Sequence, residues 1–469
     1  MSVPPKTGIS LIALPDSYSP GPSVRGILFL TLKINVNMAS YFPLRSICAL
    51  LLMLSFTTWA ASPAPANLDD ELGRVISTTY NSFAKSATNA NLADVRRQTE
   101  KAYQAKDYAG ALQILANNNV LNAAYLNDPE IQPLVRLALQ VYGHALVEQL
   151  LLEAQQQANT IAEARLTFEL ARFYAANEHW PKVTTLLSDI SLFEQLVADD
   201  RTEAYVLQGT ALQKQKKHRE ALRIYEKISA NSKHFRVAQL NLASANLRQE
   251  WWTDAHAAIN TALKENKNKR DALDYRLFTM LGYSQIQFGF YRDARESFRN
   301  VAISSEYAQR ALLGLGVAAL HQQDFIGALN AFDKLRAQPQ RDISVAEAYL
   351  LSAFTLRQLE QFDAATGRYE EAIDYYQKLS SDIAAQANNS TSIHFLRPDH
   401  SNDKLLRNNA IKIALLDGLS PTPQITNLKS KFNTESGQRV SEFLREEKNA
   451  IDSYLSQSRF GLASLYDHK

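Results

Sequence analysis

A phrase of side-chain sizes recurs through the middle of this chain: a small residue, a second small residue 12 positions later, and a large apolar residue 4 beyond that. It reads Gly209, Ala221, Tyr225; then Ala243, Ala255, Ile259; Gly282, Ala294, Phe298; Gly316, Ala328, Phe332; and Ala353, Ala365, Tyr369. The second-position alanines are 34, 39, 34 and 37 residues apart. A period of that length marks two-helix units that bury a core only by stacking on their neighbours. The spacing has a steric cause: two antiparallel helices approach within about 8 to 10 Å only where the side chains at the crossing are small. The large residue lies one turn past the second small one, on the same face, placed to fill the groove between successive hairpins. The chain is therefore read as all-α, with a surface for holding another molecule as its class of function. The alternative is an irregular helical bundle.

With Ala294 set at position 20 of a unit, Phe278, Leu281, Gly282, Tyr291 and Phe298 fall at positions 4, 7, 8, 17 and 24. That pattern resembles the tetratricopeptide repeat (TPR) family. Leu315, Gly316, Phe325, Ala328 and Phe332 agree with it as well, whereas Gln208 replaces the usual leucine, and Gln239 and Asn246 stand where large residues are usual. Leu170, Ala171, Tyr174, Trp180 and Leu187 read as an earlier unit with Val183 in the alanine place, and Tyr108, Ala111 and Leu115 suggest an N-terminal one. The resemblance implies a right-handed α-solenoid of stacked hairpins.

The apolar run at 131–157 carries Arg136, His144 and Glu148, which suits a buried early hairpin better than a membrane span. The expected organisation is a lead and helix at 61–92, degenerate repeats at 93–160, a solenoid at 161–380, a connector at 381–404 and a C-terminal helical extension at 405–469. In that extension a short helix over Leu405–Leu416 should stop at Gly418 and Pro421. A longer one from about Ser436 to Tyr466 carries a stripe that includes Val440, Phe443, Leu444, Ile451, Tyr454, Phe460 and Leu465. It reads as a cap on the open end of the solenoid, or else as a partner-binding helix.

From Met38 the sequence has the plan of a secretory signal peptide: one arginine, an apolar run from Ile47 to Phe56, and small residues that place cleavage between Ala60 and Ala61. Residues 1–37 read as a misassigned upstream extension, and an uncleaved inner-membrane anchor is the competing reading of 38–60. Without residues 1–60 the chain keeps 46 basic and 47 acidic residues and no cysteine. Near neutrality argues against bulk nucleic acid as the partner, and the lack of cysteine argues against a disulfide-stapled class. A periplasmic protein with no membrane span after cleavage fits both.

Chemistry-bearing motifs are scarce. The nine histidines show no HExxH spacing, and there is no Gly-rich phosphate loop and no GxSxG elbow. No catalytic residue, cofactor or metal is assigned. The loop around His394, Asp399 and His400 is a remote metal candidate, read chiefly as connector. In TPR proteins the inner surface is lined by the first helix of each hairpin, and the register maps Arg172, Lys214, Arg248, Tyr283, Gln287, His321, Phe354, Arg357 and Gln358 there. The mixture of cations, amides and aromatics suits a peptide groove. Leu240, Leu313, Val317 and Leu320 map there too, so that groove is partly apolar or filled by another segment of the chain. Protein or peptide partners of the cell envelope are the expectation, with a scaffold or adaptor role. A glycan-handling accessory factor, stacking sugars on Trp180, Trp251 and Trp252, is the alternative.

Overall fold

In a computed structural model the described residues, 68–84, 91–265, 270–339, 341–388 and 393–466, are helical with short connections. The expected leader at 38–60 and the segment before it lie outside them, as does His468. Two units make up the chain, Met1–Glu71 and Leu72–Lys469. Of the first only residues 68–71 are described, the opening turn of α1 (Leu68–Phe83). The helical stack belongs to the second.

That stack contains eight hairpins. They are α2 (Leu92–Gln104) with α3 (Tyr108–Asn117), α4 (Ile131–Gln140) with α5 (His144–Gln156), and α6 (Thr160–Ala176) with α7 (Trp180–Leu186). Next come α8 (Ala198–Lys214) with α9 (His218–Tyr225), and α10 (Phe235–Arg248) with α11 (Trp252–Lys264). Then α12 (Ala272–Gln287) pairs with α13 (Tyr291–Arg299), α14 (Ala308–His321) with α15 (Phe325–Arg336), and α16 (Ile343–Gln358) with α17 (Phe362–Asn388). Among the described residues the architecture is all-α, a solenoid in which each hairpin packs on the next. First helices also pack on first helices, from α6 to α8 and onward to α16, so they line one common face.

The three-point phrase is a single contact seen in sequence. Ala221, Ala255, Ala294, Ala328 and Ala365 are fully buried at the crossings. A Cβ added to Gly209, Gly282 or Gly316 would lie 2.5, 2.6 or 2.4 Å from the ring of Tyr225, Phe298 or Phe332. The aromatic thus folds back onto the glycine of its own hairpin. Phe298 reaches the following hairpin as well, because a Cβ on Gly314 of α14 would stand 2.3 Å from its ring.

A second mark of the repeat lies in the backbone. The turn inside each hairpin holds one left-handed residue: Lys106, Tyr142, Glu178, Lys216, Glu250, Gly289, Gln323 and Glu360. Each stands five residues before the small side chain of its second helix, from Ala111 and Val147 to Ala365. The register therefore runs unbroken from α2 to α17, and the apolar run at 131–157 is a hairpin of the same series. Only at Gly289 is the residue free of a Cβ, and nothing lies within 4 Å of where one would stand. Gly289→Val should therefore cost about 1–2 kcal/mol through backbone strain alone. A urea melt of the two proteins would test this, and an unchanged midpoint would mean that the turn tolerates a branched residue.

Beyond the last hairpin come the short α18 (Pro398–Ser401), α19 (Lys404–Asp417) and α20 (Pro423–Tyr466). α20 begins well before the expected Ser436. Ile425, Leu428 and Phe432 are buried at helical spacing, and Pro423 suits a first helical position, where its missing N–H costs nothing. Its C-terminal half runs antiparallel to α17. Ser380 Oγ donates to Asp452 at 2.7 Å, and a Cβ on Gly461 would collide with the Tyr369 ring. Gly461 stands to Tyr369 as Gly314 stands to Phe298, so α20 takes the place that the first helix of another hairpin would occupy. Phe460, placed on the apolar stripe by sequence, is instead 76% exposed, because its neighbour Gly461 faces the core.

The connector is held by one buried carboxylate. Glu447 of α20 accepts from the backbone N–H of Leu396 (2.9 Å) and Arg397 (3.0 Å), and pairs with His400 Nδ1 at 2.9 Å. His400 in turn stacks on Phe443, centroids 4.0 Å apart. Among the described residues no group of three or more His, Cys, Asp or Glu side chains converges as a metal site, and no helix is long and apolar enough to cross a membrane.

Candidate functional site

The face lined by the first helices is built from charged and aromatic side chains that bridge one hairpin to the next. Arg136 of α4 pairs with Glu169 of α6 at 2.6 Å, and Arg172 of α6 with Glu203 of α8 at 3.0 Å. Arg236 of α10 pairs with Asp271 at 2.7 Å and also with Asp274 of α12. Burial pushes the Glu169 and Glu203 carboxyls up from their ordinary range, opposed by the guanidiniums of Arg136 and Arg172. Glu169, Glu203 and Asp274 are buried while Arg136 and Asp271 reach solvent, and each pair spans two hairpins, so its main consequence is to fix how one repeat sits on the next.

The nine residues mapped from sequence divide by position. Those at unit position 9 lie between neighbouring first helices. Arg172 joins the ion pairs just described. The Tyr283 hydroxyl donates to the backbone carbonyl of Arg310 at 2.7 Å, and its ring meets Phe298 edge-on. Phe354 packs against the core that joins the hairpins α12/α13 to α16. Arg357, at position 12, bonds the Tyr369 hydroxyl.

Those at position 13 sit in the last turn of their first helix. Lys214 lies over the Trp180 ring at 5.7 Å, and burial lowers its pKa from the usual lysine value. His321 stacks face to face on Tyr291 with centroids 4.5 Å apart, and burial lowers its pKa too, so it is neutral at pH 7. Arg248, Gln287 and Gln358 are exposed. Leu240, Leu313, Val317 and Leu320, mapped to the same face, are buried in the contacts between hairpins. Among the three tryptophans named as sugar platforms, Trp180 is buried, Trp252 packs on Phe288 at 3.7 Å, and Trp251 is 37% exposed.

One set of residues went unnoticed in the sequence. Positions 14 to 18, the turn between the two helices of a hairpin, carry the exposed side chains Trp251, Phe288, Phe290, Ile326 and Phe362. Bulky apolar residues next to a turn are the signal that could have found them, since turns are ordinarily polar.

Residues 279–342 match the tetratricopeptide repeat family profile. No curated protein matches the chain. Among solved structures, a tetratricopeptide repeat protein from Parabacteroides merdae aligns over 63% of this chain and 98% of its own, with 15% identity and a TM-score of 0.36. The apo form of RapI aligns over 70% of this chain and 97% of its own, with 11% identity and a TM-score of 0.42. The Cut9–Hcn1 hetero-tetramer of APC/C covers 78% of this chain and 90% of its own, with 14% identity and a TM-score of 0.28.

Proposed function

We propose that this chain, which carries tetratricopeptide repeats, is an exported scaffold that brings cell-envelope proteins together in the periplasm and performs no chemistry of its own. One observation carries the reading: the first helices pack on one another from α6 to α16 and form one continuous face. Arg172, Tyr283 and Phe354 within it bind the neighbouring repeats, while Arg248, Gln287 and Gln358 are exposed at its rim, where a partner can reach them. The contacts between repeats favour this use, because a surface already held in place loses little entropy when it binds. Its exposed groups are hydrogen-bonding and cationic, as suits a peptide partner. The leader-like segment at 38–60 supports export.

Photo-crosslinking residues placed at Arg248, Gln287 and Gln358 in living cells should each yield the same few envelope proteins. A probe at Ile303, 87% exposed on a connection between hairpins, should not. Identical adducts at all four positions, or none at the first three, would sink the groove assignment. N-terminal sequencing of the protein recovered from cells tests export, with Ala61 as the expected first residue.

A further inference from the structure

The extension does more than close the end of the stack. α19 runs along the turns of the first three hairpins and touches each of them. At the first, a Cβ on Gly418 would meet Ala109 at 2.5 Å. At the second, the Tyr142 hydroxyl donates to the Asn408 carbonyl at 3.4 Å, and Lys412 lies over the Tyr142 ring. At the third, Asn408 Nδ2 donates to the Ala176 carbonyl at 3.1 Å and to Asn177 at 3.0 Å, capping the end of α6. In unit register the residues touched are positions 13 to 18.

The same positions in the hairpins from α10 to α17 carry Trp251, Phe288, Phe290, Ile326 and Phe362, 37 to 58% exposed. They recur at the turns of successive hairpins, and the first of these turns are tied together. Arg219 of the preceding hairpin lies 5.8 Å from the Trp251 ring, and Trp252 touches Phe288 across two hairpins. The same register positions are thus covered by a helix at the first three hairpins, carry Lys216, Lys217 and His218 at the fourth, and expose apolar side chains at the last four. Apolar side chains clustered in this way mark an interaction site.

We propose that the turn edge from α10 to α17 docks an amphipathic helix of a partner protein, laid across the turns as α19 is laid across the earlier ones. The occupant's chemistry follows from the two parts of the edge: an aliphatic stripe to cover the exposed apolar side chains, and a side-chain amide to cap the carbonyl end of a first helix, as Asn408 does for α6. The proposal rests on the reading of the chain as a protein-binding scaffold but places the contact on the turn edge rather than the first-helix face.

The probe is a fluorescein-labelled peptide of the α19 sequence, residues 402–419, titrated into the purified mature chain and followed by anisotropy. Saturable binding is expected. It should weaken at least tenfold in the double variant Phe290→Asp with Ile326→Asp and stay unchanged in Ile303→Asp. All three positions are exposed, so helical circular dichroism should be the same in each protein. No binding overturns the proposal, and so does binding that the double variant leaves intact, which would place the peptide at the site of α19 itself. If sedimentation shows a dimer that the double variant dissociates, the occupant is a second copy of the chain and the proposal fails. Loss of peptide binding in the double variant with in-cell crosslinks at Arg248 and Gln358 retained would separate this edge from the first-helix face.

Discussion

Replacing Gly314 with alanine should destabilise the solenoid by about 2–3 kcal/mol, although the same change in most helices is stabilising. The added Cβ would stand 2.3 Å from the Phe298 ring, far inside contact distance. That ring cannot step aside. Gly282 of its own hairpin crowds the same ring, where a Cβ would stand 2.6 Å away, and Phe298 is 3% exposed. The sign of the effect is diagnostic. In a Phe298→Ala background, itself about 3–5 kcal/mol less stable, the space is empty and Gly314→Ala should recover part of the loss through helix propensity. Gly367 and Gly437, exposed in helix interiors with nothing within 4 Å, are the controls. Alanine at either should raise stability by about 0.5–1 kcal/mol. Urea melts followed at 222 nm would read all of these. An equal cost for Gly314→Ala with and without the Phe298 ring would mean that the two residues do not press on each other.

That contact also explains how much of the fold is legible in the sequence. Close helix crossings tolerate few residue types, so they leave a repeating trace. Helix turns do not. A left-handed residue is announced by glycine only at Gly289, whereas Lys106, Tyr142, Glu178 and Glu360 adopt the same conformation with ordinary side chains. The hairpin around Tyr142, which has Val147 in the alanine place, is legible as apolar and helical but not as a repeat. The true start of α20 is masked because Gly437 and a polar run hide the spacing of Ile425, Leu428 and Phe432.

The first-helix face is legible as a set of positions but not as a set of contacts. Register places Arg172 and Tyr283 on it, yet their partners Glu203 and Arg310 come from the next hairpin, about 30 residues on. What the side chain does there depends on that neighbour, which local periodicity does not describe. The turn edge escapes for the opposite reason: its aromatics belong to no period of their own, and only the packing of α19 on the equivalent turns gives them meaning.

The junction between solenoid and extension should make stability fall as the solution turns alkaline. Glu347 of α16 is 5% exposed, and burial pushes its carboxyl up to about 8, despite the Tyr454 hydroxyl that donates to it and the nearby charge of Arg397. In the unfolded chain the same carboxyl ionises near its ordinary value of 4.5. Between those values the folded state holds a proton that the unfolded state has lost. The contribution is therefore fully present below the unfolded value and disappears as pH rises through the folded one, by at most about 1.4 kcal/mol per pH unit. His218, His234, His256 and His321, whose pKa values burial lowers, act in the opposite sense below about pH 7. The window free of the histidines is thus about pH 7 to 8, and Glu169 and Glu203, also raised by burial, act there in the same sense as Glu347. Across it the urea midpoint of the native chain should drop, and Glu347→Gln, which carries no charge at any pH, should flatten the slope. Because Tyr454 belongs to α20, a probe on the extension should report the loss at lower urea than one on α8, and a slope that survives Glu347→Gln would assign the pH dependence to another group.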